Sequence, residues 1–235
     1  MEKKNQAARE YIMEIISSLP PGSRLPSERE LMTHLNVSRP TIQHAIDSLE
    51  LEGYLHKVSR QGTFTSFFPR QTHLNRMQSF FEVAQNLGVT SYSTTVLEHT
   101  VIPANEFLAT KMACSIGDPI HYFLRLRKFA HTPVVLEYTY FLDFTVKNIS
   151  KRTAEKSVYR YIENVMQLEI DFSDNFIEAV FPEEEVAALL KIPTTDPVIQ
   201  MERISRLKDG RIFEYGINYS ISKHNKYSVR AIRRP

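Results

Sequence analysis

Leu25-Pro26-Ser27-Glu28-Arg29-Glu30-Leu31, followed by Asn36-Val37-Ser38-Arg39-Pro40-Thr41-Ile42, is the stretch that decides how the first part of this chain folds. Ser27 followed by Glu30 is a capping box, in which each side chain bonds a free backbone N–H of the other. Leu31 and Leu35 then give a short helix its apolar stripe. Asn36-Val37-Ser38 makes a tight turn. Ser38 is the predicted N-cap of the next helix, and Pro40 is tolerated in that helix's first turn. Ile42, Ala45, Ile46 and Leu49 recur at helical spacing as its buried face, and Gly53 supplies its stop. Two helices joined by so short a turn, the second with polar residues on its open face, form a helix-turn-helix.

Working outward, Asn5 to Ser18 reads as a preceding helix with Tyr11, Ile12, Ile15, Ile16 and Leu19 in one stripe, ended by Pro20-Pro21-Gly22. After the helix-turn-helix, Tyr54 to Lys57 and Thr63 to Phe67 read as two strands around Ser59-Arg60-Gln61-Gly62, a β-hairpin or wing. Phe68-Pro69-Arg70-Gln71-Thr72 breaks the periodicity and reads as a linker. This divides the chain into a winged helix-turn-helix domain (1–67), a linker (68–73) and a second domain (74–235).

In the second domain a helix is predicted from Leu74 to Leu87, with Gly88 as its stop. Strands are predicted at Tyr92–Val101, Ile120–Phe129, Val134–Phe141, Leu168–Val180, Val198–Leu207, Ile212–Ser222 and Tyr227–Ile232. Helices are predicted at Asn105–Ala113, Ala154–Met166 and Glu183–Leu190. Asp209-Gly210 predicts a type I′ hairpin turn, and His131-Thr132-Pro133 a second turn. Glu183-Glu184-Glu185 is an acidic first turn that complements a helix dipole. The fold class is α+β, with a mainly antiparallel sheet.

The chain has 235 residues, 42% of them apolar, enough for real cores. No apolar run approaches the ~20 residues of a membrane span, and Met1 to Arg9 is too polar for a signal peptide. Cys114 is the single cysteine, read as an ordinary half-buried thiol. These features favour the cytosol. The net charge of +2 neither supports nor excludes nucleic acid as a partner, because phosphate contacts depend on local patches. The histidines show no metal-ligand spacing. There is no nucleophile–base pair and no glycine-rich phosphate loop, so neither catalysis nor a cofactor is expected.

A helix placed like the third one lies in the major groove with its early residues at base edges. Arg39 is therefore the candidate for guanine readout, and Ser38 and Thr41 are short donors suited to phosphate. Lys57 and Arg60 add positive charge around the wing. In the strand around Ile120, Phe123, Arg125, Arg127 and Phe129 share one face. Two arginines beside two aromatics suit an anion-binding floor, because guanidinium donors form a rigid fork. A solvated face with an Arg125–glutamate ion pair across strands is the competing reading. Lys156-Ser157, near a helix start, is a second place that attracts anions.

Residues 1–65 closely resemble the winged-helix domain of the GntR family of bacterial regulators. The match is Pro21-Gly22-Ser23-Arg24-Leu25-Pro26-Ser27-Glu28-Arg29-Glu30-Leu31, Val37-Ser38-Arg39-Pro40-Thr41-Ile42, Leu49-Glu50 with Gly53, and Gln61-Gly62-Thr63-Phe64. The remainder resembles the UTRA effector domain of the HutC subfamily, which is chorismate-lyase-like. That match rests on Leu124-Arg125-Leu126-Arg127, Pro133 before Glu137, Ser157-Val158-Tyr159, Leu189-Leu190-Lys191-Ile192-Pro193, and Asp209-Gly210 with Glu214-Tyr215.

The resemblance implies DNA contacts from Arg29, Arg39, Gln61, Gly62 and Thr63, with Arg60 as the wing's basic companion. Gln43 stands where the family commonly has arginine, which shifts the expected base from guanine toward adenine. The resemblance also implies that Arg125, Arg127, Ser157 and Tyr159 hold an anionic group. Glu137, Glu214 and Tyr219 would bond the polar remainder of the ligand. After Tyr219 the sequence departs from the family pattern at Ser220-Ile221-Ser222-Lys223-His224-Asn225. The implied function is a homodimeric repressor on a near-palindromic operator, modulated by a small anion such as a phosphosugar or another organic anion. The alternatives are an enzyme with a DNA-binding head, since fold alone does not exclude catalysis, and a DNA-binding protein with no effector.

Overall fold

The structure, a computed structural model, describes residues 2–20, 22–51, 54–65, 72–74, 77–87, 89–221 and 226–229. The helix stops assigned to Gly53 and Gly88, the linker run from Phe68 to Gln71, and Ser222 to Asn225 lie outside the described residues. The chain divides into two compact units, Met1–Arg76 with Tyr227–Pro235, and Met77–Lys226.

The first unit holds α1 (Glu2–Ser18), α2 (Glu28–Leu35), α3 (Arg39–Leu51), β1 (Leu55–Val58), β2 (Gly62–Thr65) and β3 (Thr72–His73). The capping box is formed as expected: the Ser27 hydroxyl accepts from the Glu30 N–H at 3.3 Å, and the Glu30 carboxylate accepts from the Ser27 N–H at 2.7 Å. The Ser27 N–H and hydroxyl, both donating to the Glu30 carboxylate, hold its pKa below the ordinary carboxylate range. Asn36 ends α2 in the left-handed region at φ 49°, a conformation asparagine tolerates. Ile12 and Ile16 of α1, Leu31 of α2, and Ile42, Ala45, Ile46 and Leu49 of α3 close on Leu25, Tyr54 and Leu55 as one core. Every apolar position assigned to the buried face of α3 is in it.

β1 and β2 pair antiparallel, Leu55 opposite Thr65 and Val58 opposite Gly62. The segment before α2 runs along the other edge of β2. Leu25 N–H donates to the Thr63 carbonyl at 2.8 Å, Thr65 N–H to the Ser23 carbonyl at 2.8 Å, and Arg24 bridges Phe64. The wing is thus joined to the start of the helix-turn-helix, a pairing the sequence pattern does not announce. β10 (Tyr227–Ser228) pairs parallel with β3. Tyr227 and Ser228 therefore associate with the first unit, whereas the sequence reading assigns them to the second domain.

The second unit holds α4 (Phe80–Asn86), β4 (Tyr92–Pro103), α5 (Glu106–Met112), β5 (Pro119–Phe129), β6 (Thr132–Leu142), α6 (Lys151–Glu155), α7 (Val158–Asn164), β7 (Ile170–Val180), α8 (Glu184–Leu190), β8 (Val198–Leu207) and β9 (Ile212–Ile221). The strands form one six-stranded sheet in the order β4-β5-β6-β9-β8-β7, every neighbour antiparallel. One face packs Phe123, Phe141 and Phe213 against Ala154 of α6 and Val158 and Ile162 of α7. The other packs Leu124, Leu126, Leu136 and Ile221 against Val186 and Leu190 of α8, and Ile120 and Tyr215 against α5. Among the described residues no helix is long and apolar enough to cross a membrane.

Three local expectations are corrected. The helix expected from Leu74 begins at Phe80, because a second capping box, Ser79 with Glu82, sets its start. Leu74 instead donates its N–H to the Ser228 carbonyl. The single helix expected over Ala154–Met166 is two, broken where Ser157 turns extended at φ −145° and caps α7. The Asp209-Gly210 turn is not type I′: Gly210 has φ 86° but Asp209 is not left-handed, and Gly210 N–H bonds the Leu207 carbonyl. The Asp209 carboxylate accepts from the Arg211 N–H and guanidinium instead, which stabilises the other turn.

Candidate functional site

The residues of the first unit expected to meet DNA sit on α2, α3 and the wing. Arg39 and Gln43 are one turn apart on α3, so their side chains share a face. Both reach one acceptor: Oε2 of Glu28 lies 3.1 Å from Arg39 Nε and 3.4 Å from Gln43 Nε2. Arg39 remains 67% exposed. Ser38 precedes α3, and its hydroxyl lies 2.9 Å from that of Thr41. Arg29 is exposed on α2. The two carboxylates beside it in sequence are engaged elsewhere, Glu28 with Arg39 and Glu30 with Ser27.

At the wing tip Arg60 and Gln61 are exposed, Arg60 in the left-handed region at φ 62°. Gly62 has φ 119°, and a Cβ there would lie 3.0 Å from Arg24 Nε. The glycine is needed for its backbone angle, and the Arg24 side chain passes close beside it. Arg24 is thus an exposed cation at the wing that the sequence reading did not single out. Its only signal was a basic residue directly before the Leu-Pro-Ser-Glu run. Lys57 does not contribute the free charge assigned to it: its ammonium pairs with Asp47 and lies 3.8 Å from Glu50, and Asp47 raises its pKa.

In the second unit, β5, β6, β8 and β9 put a polar cluster in the middle of the α7-covered face. Arg125 is opposite Glu137 across the β5–β6 pair. Glu137 Oε2 accepts from Arg127 Nε at 2.8 Å and lies 3.1 Å from Arg125 Nη2. Arg125 also bonds Thr139 at 3.0 Å, and Arg127 bonds Thr94. All three ionic side chains are buried, Arg125 5%, Arg127 7% and Glu137 12% exposed. Burial alone would raise the Glu137 pKa, but the Arg127 and Arg125 charges more than reverse it and hold it below the ordinary value. Burial lowers that of Arg127. Arg125 Nε is buried with no hydrogen-bond partner.

Beyond Gly216 lies a second group. Glu214 Oε2 accepts from the Tyr159 hydroxyl at 2.6 Å and from Ser205 at 2.8 Å. Arg203 donates to Asn175 at 3.0 Å and to the Tyr159 hydroxyl at 3.4 Å. Burial, and then the charge of Glu214, push the Tyr159 phenol well up, so it stays a donor. Gly216 is opposite Thr139 on one side and Arg203 on the other. It is buried, yet an added Cβ would meet nothing nearer than 3.5 Å. An added methyl there would make ordinary van der Waals contacts between the two arginine-bearing groups, with the Tyr138 carbonyl at 3.5 Å and Thr139 Cγ2 at 4.0 Å. Arg203 and Gly216 were missed in the sequence because an arginine in an alternating strand, or a lone glycine within one, is ordinary.

A cavity of about 710 Å³ is lined by Phe80, Phe81, Thr94, Ser157, Arg160 and Tyr161 among others; it adjoins the cluster through Thr94 and Phe80, which contact Arg127, while the cluster's own arginines and glutamates are not among its lining residues. Ser157 reaches it while capping α7 through the Arg160 N–H at 3.3 Å. Of the seven residues expected to hold an effector, Arg125, Arg127 and Glu137 form one group, Tyr159 and Glu214 the second, and Ser157 lines the cavity. Tyr219 is not with them. It lies on the opposite face, with its ring 6.0 Å from that of Tyr138, under α8. The period-2 alternation of β9 puts Tyr219 out of step with Glu214 and Gly216.

Residues 3–65 match the description "Bacterial regulatory proteins, gntR family", and residues 89–226 match the UTRA domain. The chain is 32% identical over 218 residues to the mannosyl-D-glycerate transport/metabolism system repressor MngR of Escherichia coli, covering 92% of this chain and 90% of that one. It is 30% identical to the regulator TreR of Bacillus subtilis, covering 81% and 80% of the two chains. The crystal structure of the possible regulator YydK from Bacillus subtilis superposes with a TM-score of 0.82 at 24% identity, covering 97% and 99%, and shows the same fold. The chain therefore belongs to the GntR family of bacterial regulatory proteins, in its UTRA-bearing, HutC-like branch, and is a DNA-binding transcriptional regulator rather than an enzyme.

Proposed function

We propose that this protein is a homodimeric repressor that binds a near-palindromic operator and is modulated by a small anionic effector, with a phosphosugar as the leading class. The winged helix-turn-helix of residues 1–67 is the reading head on this proposal, and the six-stranded sheet domain, Met77–Lys226, is the sensor. The observation that carries the reading is the charge of the buried cluster. Arg125, Arg127 and Arg203 face only Glu137 and Glu214, and Arg125 Nε has no partner. A buried excess of guanidinium donors is complemented by a phosphate or carboxylate. Ser157 and Tyr159 add hydroxyl donors, and Glu137 and Glu214 offer acceptors to sugar hydroxyls. MngR is named for a mannosyl-D-glycerate system, which supports a carbohydrate-derived acid as the ligand class here.

Arg39 reads a base edge on this proposal, Gln43 a second, and Ser38 and Thr41 contact phosphate. Arg29 and the wing residues Arg60, Gln61, Gly62 and Thr63 complete the DNA surface.

The effector reaches the head through α4, the first helix after the linker. The Phe80 ring lies 5.0 Å from the Arg127 guanidinium, and Phe81 lies 4.0 Å from that of Arg160. A ligand that draws either arginine toward an anion changes the seat of α4. It shifts the DNA-binding equilibrium only by its differential affinity for the two seatings.

A thermal-shift panel pairing phosphorylated sugars with their parents, plus several carboxylates, tests this. At ~100 times its dissociation constant a ligand stabilises by about 2.7 kcal/mol. The expected result is stabilisation by one phosphosugar that is lost in Arg125→Lys and that weakens operator binding in parallel. A panel with no stabilising member overturns the effector class.

A further inference from the structure

We propose that Glu28 is a positioning residue that sets the base preference of α3, by fixing which atoms of Arg39 and Gln43 face the DNA. The inference rests on the reading of α3 as the helix that enters the major groove. Glu28 opens α2, directly after the Ser27 cap, and its side chain is 33% exposed. One of its oxygens serves two side chains of the neighbouring helix, Arg39 Nε at 3.1 Å and Gln43 Nε2 at 3.4 Å.

The consequences follow from donor and acceptor chemistry. An ionised carboxylate only accepts hydrogen bonds, so it selects one of the two flips of the Gln43 amide: nitrogen toward Glu28, Oε1 away from it. The outward acceptor matches a base with a major-groove donor, adenine through N6 or cytosine through N4. It is repelled by guanine, whose N7 and O6 are both acceptors. On Arg39 the carboxylate occupies Nε, which leaves the two terminal nitrogens as a planar pair for guanine O6 and N7. Glu28 thus assigns opposite preferences to two residues one turn apart.

A carboxylate on a surface that meets phosphates costs affinity, so it is a poor choice for a helix that only needs to hold DNA. It suits one that must discriminate, because penalising the wrong partner raises specificity even as it lowers total affinity. This also bears on position 43 itself. An arginine there would form an ion pair with Glu28 and still present donors. Glutamine turns the same carboxylate into a selector for the opposite kind of base.

The test is selection from a duplex library with randomised palindromic half-sites, using the full-length protein at one fixed salt concentration. Wild type, Glu28→Gln and Glu28→Ala are run in parallel, with a melting curve for each. Wild type should enrich guanine opposite Arg39 and exclude guanine opposite Gln43. In both variants the exclusion of guanine opposite Gln43 should weaken about tenfold, within the range one base contact provides, while binding to bulk DNA holds or strengthens. Glu28→Gln keeps the side chain's shape and carries the test if Glu28→Ala melts poorly. Base-preference profiles that match wild type in the folded variants overturn the role of Glu28 and leave the reading helix intact. If wild type itself enriches no sequence, the assignment of α3 fails and the inference falls with it.

Discussion

Each unit of this regulator sets arginine against glutamate, under opposite solvent conditions. In the head, Arg39 and Glu28 are 67% and 33% exposed. In the sensor, Arg125, Arg127 and Glu137 are 5%, 7% and 12% exposed. The exposed pair is screened and contributes little to folding, so its geometry is free to serve recognition. The buried group is different. Its charges are already desolvated, and removing one leaves the others stranded in a poor solvent. The contrast separates an exposed, screened pair in the DNA-binding unit from a buried, desolvated group in the UTRA unit.

The largest expected effect tests the buried side. Glu137→Ala should destabilise the protein by about 3–5 kcal/mol in a urea titration, because it strands two buried guanidiniums. Glu28→Ala should change stability by no more than about 0.5 kcal/mol. Equal effects would break the comparison. Acid gives the same contrast without a mutation. The Glu137 carboxyl titrates below its ordinary 4.5, so its contribution is fully present above that pH and is lost as pH falls through its lowered native value. Glu137→Gln should flatten that part of the acid-unfolding curve, and an unchanged curve would place the acid sensitivity elsewhere.

Next in size, Arg39→Ala should weaken binding to a selected operator by about 1–3 kcal/mol at fixed salt, with its urea midpoint unmoved. A loss of stability instead would mean that Arg39 is a folding residue. Gly216→Ala should leave stability within about 1 kcal/mol, because its methyl finds ordinary contact distances. It should nonetheless abolish the effector's thermal shift by filling the floor between the arginine groups. A retained shift would move the ligand out toward the cavity beside α4. Smallest of all, Arg60→Ala should reduce the slope of log affinity against log salt by about one, with no change in base preference.

The two regions were legible in the sequence to different degrees. In the head, nearly every element follows from local rules: the Ser27–Glu30 box, the Asn36 turn and the apolar face of α3 each involve residues within a few positions. What was not legible there were contacts between segments, namely Arg24 beside Gly62, Glu28 reaching Arg39 and Gln43, and Lys57 neutralised by α3. In the sensor, the strands and their antiparallel class follow from period-2 patterning. The shared face of Arg125 and Arg127 follows from it too. The partner suggested for Arg125, a glutamate on a neighbouring strand, is present as Glu137, but buried rather than solvated. Tyr219 was grouped by resemblance with residues from which its strand parity separates it. The Ser79 capping box follows from the same local rule as that of Ser27. The break at Ser157 was hidden by an apolar periodicity that continues across it.

By itself, the sequence determined the helix-turn-helix, the wing, the α+β class and the list of chemically capable side chains. Each depends on caps, turns and periodicities that act within a few residues. Only the tertiary structure decided which side chains face one another and how much water reaches them. Strand order places Arg203 and Glu214 beside Arg125 and Glu137, although they lie far apart along the chain. The pairing of residue types from distant segments depends on register and burial. Those same two quantities determine whether an arginine beside a glutamate is a screened surface pair or a buried, desolvated one.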